Sequence, residues 1–324
     1  MKSESTEVSW KGKWVEVPSV TVDGLTLLVQ GGWFKTARIK DEIWLPGDVV
    51  GDPESIIAGL RRGRAADLFV FTQKSPGNTR KYDYRIEWGN VAAARVESFD
   101  KWWGGLPRQS KQNIKRAERE GVVVHRHEMC DRLIEGIVRI NNESPVRQGR
   151  HFWHYGKDFA AVKRDYSDML DRSDFLTAQH GEEIIGFLRL IDLGEVATVL
   201  QLLCLNGQCQ RRPANALIAK AVELCAERGS KYLVYGQFVY GDNVDSSLTE
   251  FKRRNGFEQF LVPTYYVPLT AKGRLGLALN IHKGVRGLIP RPVWKAGREL
   301  RRRLYAKKRE EAANADEKER GCQA

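Results

Sequence analysis

The chain lacks the marks of several large protein classes. Its 324 residues hold only five cysteines, and no two form a C-x-x-C pair. Cys204 and Cys209 have four residues between them and no His cluster nearby, so they read as ordinary thiols rather than a zinc site. The odd cysteine count, with no apolar leader, leads us to expect a reducing, cytosolic setting. No apolar run approaches the roughly 18 residues needed to cross a bilayer. The opening Met-Lys-Ser-Glu-Ser-Thr-Glu has no signal-peptide core. Low-complexity tracts and short repeats are missing as well. Collagen-like, coiled-coil, transmembrane and disulfide-stapled designs are therefore set aside. The 42% hydrophobic and 29% charged residues suit a soluble globular chain, and the length suits about two domains.

Acidic residues are scarce in one region only. Lys and Arg number 53 against 41 Asp and Glu, a net charge of +12. Between Ala271 and Glu310, thirteen Lys and Arg face only Glu299 and Glu310, a net of +11. The last fourteen residues carry −2, which leaves +3 for residues 1–270. Basicity is thus a property of the tail. Within it Leu277, Ile281, Val285 and Ile289 recur every four residues, a helical spacing. Pro290 and Pro292 break the chain, and a second helix is expected from Trp294 to Lys308. A basic amphipathic segment over 271–310 suits an anionic membrane surface, each nearby cation contributing about 1 kcal/mol. Contact with RNA phosphates and docking on the body by the apolar stripe are the alternatives.

The body reads as alternating strands and helices. Short strands are expected at Trp14–Pro18, Leu25–Val29, Lys35–Ile39, Glu42–Leu45, Asp67–Phe71 and Val91–Val96. Pro53 to Arg62 suits a helix with Asp52 as its N-cap. A basic helix follows within Leu106–Gly121, then a strand from Val122 and helices over Asp131–Asn141 and Lys157–Leu170. Strands are expected at Phe175–Ala178, Ile184–Ile191 and Val196–Leu205, a helix over Pro213–Arg228, and a strand at Tyr232–Tyr235. A helix over Ser246–Asn255 and a last strand over Phe257–Val267 complete the body.

This order resembles the layout of GNAT acyltransferases. Two stretches carry the resemblance further, toward the FemAB-like aminoacyl and acyl transferases. Gln109-Ser-Lys-Gln-Asn-Ile-Lys-Arg-Ala-Glu-Arg-Glu-Gly-Val122 is similar to the basic signature joining that family's two halves. Ser247-Leu-Thr-Glu-Phe-Lys-Arg-Arg-Asn-Gly-Phe-Glu258 is similar to its Leu-x-x-Phe-Lys-x-x-Phe-Gly motif. Between them Arg212-Pro-Ala-Asn-Ala216 opens a long helix where the family has its acyl-CoA loop. The resemblance covers roughly residues 30–270. It implies an α+β fold of two tandem GNAT-like halves, with mixed sheets flanked by helices, plus a basic helical tail. The expected division is a degenerate N-terminal half over 1–105, a connecting helix over 106–122, a C-terminal half over 123–269 and the tail over 270–324.

The same resemblance implies acyl-CoA as co-substrate, held by Gln210, Arg211, Arg212, Ala214, Asn215 and Ala216. Here Pro213 and Asn215 stand where the family has glycines, so fewer bare N–H groups are left for a pyrophosphate. The family's coiled-coil insertion is missing. Aminoacyl-tRNA is the alternative donor, with the connecting helix and tail as its RNA contacts.

Acyl transfer to an amine needs proton removal, oxyanion donors and alignment of both substrates. The polar, aromatic segment Asn141–Lys157 reads as a functional loop. Within it Glu143 reads either as a general base or as a helix-end carboxylate paired with Arg147. His154 reads as a base or as a packing histidine between Trp153 and Tyr155. Arg147, Arg150, Tyr155 and Lys157 are candidate substrate contacts. Tyr240 is a candidate donor to a leaving group and Asp242 an orienting group, with a turn and helix cap as the alternative for Asp242. By resemblance Lys252 and Arg253 face the cleft; a solvated helix face is the alternative. His125 and His127 share a strand face without a third ligand, so no metal is expected.

The reading is an N-acyltransferase acting on an amino group of a cell-envelope sugar, lipid-linked precursor or peptide, at the inner face of the membrane. The alternatives are an aminoacyl-tRNA-dependent transferase and a non-catalytic ligand-binding module.

Overall fold

The computed structural model describes residues 4–40, 42, 52–76, 79–147, 150–241 and 246–283. The first half runs β1 (Glu4–Trp10), β2 (Lys13–Val22), β3 (Leu25–Gln30), β4 (Thr36–Ile39), α1 (Pro53–Gly63), β5 (Leu68–Thr72) and β6 (Arg85–Arg95). Helices α2 (Phe99–Gly105) and α3 (Arg108–Arg119) connect it to β7 (Val122–His127) and α4 (Asp131–Asn142). A small hairpin of β8 (Val146–Arg147) and β9 (Arg150–His151) precedes α5 (Phe159–Tyr166). Then come β10 (Ser173–His180), β11 (Glu183–Asp192), β12 (Val196–Cys204), α6 (Pro213–Arg228), β13 (Tyr232–Val234), α7 (Ser247–Arg254), β14 (Glu258–Pro268) and α8 (Ala271–Ala278).

Local chemistry explains many of these boundaries. Asp52 caps α1 by accepting the Glu54 N–H, and Pro53 sits in its first turn, where no N–H is needed. Gly229, at φ 76°, ends α6 in the left-handed conformation that glycine adopts freely. The two-residue turns Lys11-Gly12 and Asp23-Gly24 have positive φ at both positions, as the tight turns between β1 and β2 and between β2 and β3 require. Strand β1 is an element the sequence reading did not anticipate.

Among the described residues twelve strands form one mixed sheet, in the order β1-β2-β3-β4-β5-β14-β6-β13-β12-β11-β10-β7. Each half repeats one plan. An antiparallel meander (β2-β3-β4, then β10-β11-β12) leads through a helix (α1, then α6) to a strand parallel to the meander's last one. The final strands are exchanged. β14, from the second half, pairs with β5 and β6, and β6 pairs in turn with β13. The fold is thus α+β, two tandem GNAT-like halves sharing one sheet.

Two main cores lie on one face of that sheet. Ile56, Ile57 and Leu60 of α1 pack with Phe69, Phe71 and Tyr265. Leu217, Ile218 and Val222 of α6 pack with Phe187, Leu188 and Leu233, each such burial contributing about 1.5–3 kcal/mol. Helix α8 covers the opposite face, with Leu277 against Leu68 and Val70.

The tail departs from its expected periodicity. Helix α8 stops at Ala278, Asn280 turns left-handed at φ 57°, and Ile281–Lys283 form a 3-10 turn. Arg85 donates to the Leu277 carbonyl (3.0 Å) and to Asn280 Oδ1 (3.4 Å), which holds that end. The four-residue stripe from Leu277 therefore does not run on as one helix past Asn280. The helix expected over Trp294–Lys308 lies outside the described residues. The helix expected over Lys157–Leu170 is likewise shorter, because α5 ends at Tyr166 and Met169 turns left-handed at φ 50°.

Candidate active site

Strands β12 and β13 pair only over Val196–Thr198 and Tyr232–Val234. Beyond Val234 the chain leans away, with the Tyr235 N–H donating to Ala92 O and the Ala92 N–H to Gly236 O, both at 2.8 Å. β12 meanwhile stays with β11 to Cys204. A wedge opens between the two strand ends.

Lys252 of α7 reaches the β13 side of that wedge. It is 0% exposed, and its Nζ donates to the Gln237 carbonyl at 2.6 Å. The same atom lies 4.5 Å from the Tyr235 ring centroid and 4.9 Å from that of Tyr240. Among the described residues no carboxylate neutralises it. Burial alone drives its pKa from 10.5 down to about 7, so both amine and ammonium are accessible near neutrality.

The surrounding chain is fixed from both sides. Ser246 caps α7 by accepting the Thr249 N–H (3.0 Å), and the Thr249 hydroxyl donates to Phe238 O (3.1 Å). Across the wedge, Asn90 of β6 accepts the Val239 N–H (2.9 Å) and donates to Val239 O (3.2 Å). Gly236 has φ 55°, and a Cβ there would stand 2.7 Å from the Tyr240 hydroxyl oxygen. Burial raises the Tyr240 pKa, against a partial opposing effect of a hydrogen bond from the Gln237 backbone, so the phenol keeps its proton.

The floor beside this cage is open. In the β6–β14 register Trp88 stands opposite Pro263 and Asn90 opposite Leu261. These four share the sheet face of the two cores, yet Trp88 is 55% and Leu261 58% exposed. They occupy the cleft between the α1-covered and α6-covered regions.

A second group forms around the 143–158 segment. The Glu143 carboxylate accepts the Asn206 N–H (2.8 Å), the Gly207 N–H (3.2 Å) and Arg147 Nη2 (3.2 Å). Arg147 also donates to Cys204 O (3.0 Å) and Ile140 O (2.7 Å) and lies over the Phe152 ring. His154 Nδ1 stands 3.8 Å from Asp165 Oδ2, an oxygen that Lys157 also binds, while Trp14 Nε1 donates to Asp165 Oδ1 at 3.0 Å. Burial opposes ionisation of Asp165, but the nearby His154 ring and the bonds from Lys157 and Trp14 outweigh it and its pKa falls below the ordinary value. Trp14 belongs to β2, so the N-terminal hairpin reaches across to this segment. Arg164 over the Trp14 ring (4.9 Å) and Lys11 over the Trp153 ring (5.2 Å) make the same bridge.

The start of α6 is occupied by its own chain. Pro213 offers no N–H, and the Asn215 and Ala216 N–H groups turn back to Arg212 O at 3.1 and 3.4 Å. Arg212 sits left-handed at φ 59° with a buried Nε that finds no partner among the described residues. Arg211 binds Gln208 Oε1 (2.9 Å) and Glu120 (3.3 Å). The Asn215 side chain donates to Asn255 Oδ1 at 3.0 Å. Gln210 is exposed, and Ala214 and Ala216 are half-buried.

The expected site residues therefore fall into separate groups. Lys252 and Tyr240 come together. Glu143 joins Arg147, and His154 joins Lys157 through Asp165, but among the described residues no hydrogen bond links either pair to Lys252. Tyr155 is exposed, Arg150 lies in β9, and Arg253 turns outward to pair with Glu250. Asp242 lies outside the described residues. His127 Nε2 meets the Gln179 amide at 3.2 Å. Among the described residues no group of three or more His, Cys, Asp or Glu is placed to hold a metal. Sequence reasoning missed Tyr235, the Gln237 carbonyl, Asn90, Trp88 and Asp165. Only the Tyr235-Gly236 step, a bulky residue followed by glycine at a strand end, carried a signal.

No family model and no curated protein sequence matches the chain. Solved structures do. The chain is similar to a structure described as FemX, with 12% identity, a TM-score of 0.57, and coverage of 86% of this chain and 90% of that one. It is similar to the C-terminal domain of a putative lysylphosphatidylglycerol synthetase from Agrobacterium fabrum, with 16% identity, a TM-score of 0.50, and coverage of 80% and 86%. It also resembles L-PGS from Bacillus licheniformis, with 13% identity, a TM-score of 0.50, and coverage of 77% and 83%. Identities this low speak for the fold alone. The chain has the FemAB-like, GNAT-type acyltransferase fold.

Proposed function

We propose that the protein is a FemAB-like N-acyltransferase that moves an acyl or aminoacyl group onto an amino group of a cell-envelope acceptor. The observation that carries this reading is Lys252 of α7, buried beside the end of β13 with no carboxylate partner among the described residues. Burying an unpaired ammonium costs stability, and such groups concentrate at reacting centres.

The acceptor amine attacks the carbonyl carbon of an ester or thioester, and the carbonyl electron pair moves onto oxygen. Collapse re-forms the carbonyl and breaks the bond to the leaving thiolate or alkoxide. Net, the amine loses a proton and that leaving group gains one. Protonated Lys252 exchanges its bond to Gln237 O for one to the oxyanion, adding a full positive charge where negative charge develops. Removal of one such donor typically costs about 10²–10³ in kcat. Tyr240, still protonated, passes its proton to the leaving group and takes back the one that the amine loses. The exposed Trp88 and Leu261 bind the apolar part of a substrate. In this reading Glu143, Arg147, His154 and Lys157 shape the wall of the cleft, and residues 271–310 hold the protein against an anionic membrane.

The donor is acyl-CoA or aminoacyl-tRNA. The second is favoured by the α6 start, where Pro213 and the returned N–H groups leave little room to bind a pyrophosphate. A structural relative named for lysylphosphatidylglycerol synthesis supports an aminoacyl group as cargo and a lipid as acceptor. Calorimetric titration of the full chain with acetyl-CoA, a longer acyl-CoA and charged tRNA tests the reading. Saturable binding of one donor class is expected, with tRNA affinity falling steeply as salt rises. Binding without transfer to any amine would move the protein to the ligand-binding-module reading. No binding at all would refute the transferase.

A further inference from the structure

The N-terminal hairpin is held in an unusual way. Strands β1 and β2 pair from Glu4 opposite Ser19 to Trp10 opposite Lys13, yet β3 pairs with β2 only over Ser19 to Val22. Residues 4–18 therefore form an arm that stands beyond β3. None of them is buried, and among the described residues Ser19 is the first that is. The arm adds no side chain to any buried core.

Its tip is tied instead to the other half. Trp14 Nε1 donates to Asp165 Oδ1 (3.0 Å), and Arg164 Nη2 donates to both oxygens of Glu7 (2.9 Å each). Arg164 also covers the Trp14 ring at 4.9 Å, and Lys11 covers the Trp153 ring at 5.2 Å. A Cβ on Gly12 would stand 2.5 Å from the Trp153 carbonyl oxygen, so the turn lies directly on that segment. The Glu7–Arg164 pair is exposed on both sides, which makes it a weak tie.

Strand directions place this tie at the wedge. Followed through the sheet, the pairings make β2 antiparallel to β13 and β12 parallel to it. β2 thus begins at the edge where β12 and β13 end. Its partner α5 packs on the far side of the wedge, with Tyr166 against Phe187 of β11 (5.9 Å between ring centroids). A contact between β2 and α5 therefore spans β14, β6 and β13, the strands that make the floor and one wall of the cleft.

We propose that the β1–β2 hairpin is a releasable strap across the mouth of the wedge. Trp14 and Glu7 latch it to Asp165 and Arg164, and it lifts to admit a substrate too large to pass beneath it. An element without a core of its own, held at its tip by polar and cation–π contacts, belongs to the low-stability end of a fold, from which lids are drawn. Release leaves the cleft wall in place, because Asp165 keeps its bond to Lys157. The inference builds on the reaction proposed above, in which donor and acceptor must both reach Lys252.

Hydrogen exchange of the full chain, followed by mass spectrometry without ligand, tests the release. Amides of residues 5–17 should exchange about a hundredfold faster than those of β10 and β11. The variant Glu7→Gln, Trp14→Phe removes the ion pair and the indole donor. It should speed exchange of the arm about tenfold further, with β10, β11 and the melting temperature unchanged. An arm as protected as β10, or one that ignores the variant, would overturn the strap. Gating is read by labelling Lys252 with two amine-reactive succinimidyl esters, a small acetyl ester and a bulky biotinyl one, scored by peptide mapping. The variant should raise labelling by the bulky ester about fivefold and leave labelling by the small one unchanged. Equal changes with both esters, or no change with the bulky one, would overturn the gate. Labelling needs neither donor nor acceptor. Failure here therefore speaks against the strap, and absent transfer by the opened variant speaks against the reaction.

Discussion

Replacing Lys252 by methionine should make the protein more stable and inactive. The folded state holds the Lys252 ammonium at a pKa of about 7, against 10.5 when unfolded. Above pH 10.5 both states are neutral and the residue costs nothing. As pH falls toward 7 the unfolded chain takes up a proton that the folded chain resists, so stability drops. Linkage puts the accumulated penalty at about 4 kcal/mol at pH 7 and about 2 kcal/mol at pH 9. Against this stand the bond to Gln237 O and the two aromatic faces, together about 2 kcal/mol. Lys252→Met should therefore gain about 2 kcal/mol at pH 7, and the gain should shrink as pH rises toward 10.5. Urea unfolding of both proteins at the two pH values, with matched m-values, measures this directly. A variant less stable at pH 7, or a difference that ignores pH, would refute the idea of an unpaired buried ammonium.

Two further substitutions probe the other groups. Gly236→Ala forces a Cβ to within 2.7 Å of the Tyr240 hydroxyl at a positive φ, so it should cost about 1–2 kcal/mol and displace Tyr240 from Lys252; tyrosine hydroxyl titration should then show a pKa nearer 10. Glu143→Gln separates the two roles open to Glu143. A carboxylate bound to two backbone N–H groups and Arg147 should cost about 1.5–3 kcal/mol on neutralisation, with transfer activity reduced only in proportion to the folded fraction. Full stability with abolished activity would instead make Glu143 the base.

What was legible in the sequence follows the range of the interactions that fix each element. Helix α1 could be read because its cap, Asp52, and first residue, Pro53, are local signals. Helix α6 could be read from Pro213 to Gly229 for the same reason. The pattern failed where a distant side chain decided the outcome. The stripe from Leu277 to Ile289 has good helical spacing, but Asn280 turns left-handed under the reach of Arg85, which is 195 residues away. Lys252 stood out through its motif. Its cage did not, because Tyr235 and Tyr240 lie on a strand end and a turn whose approach to α7 is set by tertiary packing.

The exchange of β6 and β14 was hidden for the strongest form of that reason, since strand sequences fix faces but not neighbours. It also changes what the first half is for. Ala92 and Asn90 belong to β6, yet they hold Tyr235, Gly236 and Val239 beside Lys252. The floor residues Trp88 and Leu261 come one from each half. Even if the first half binds no donor of its own, its last strand sets where the Lys252 cage stands and how wide the wedge opens. A lesion at Asn90 of β6, whose side chain lies outside the α6 core cluster, should therefore act on the candidate site through the position of Val239.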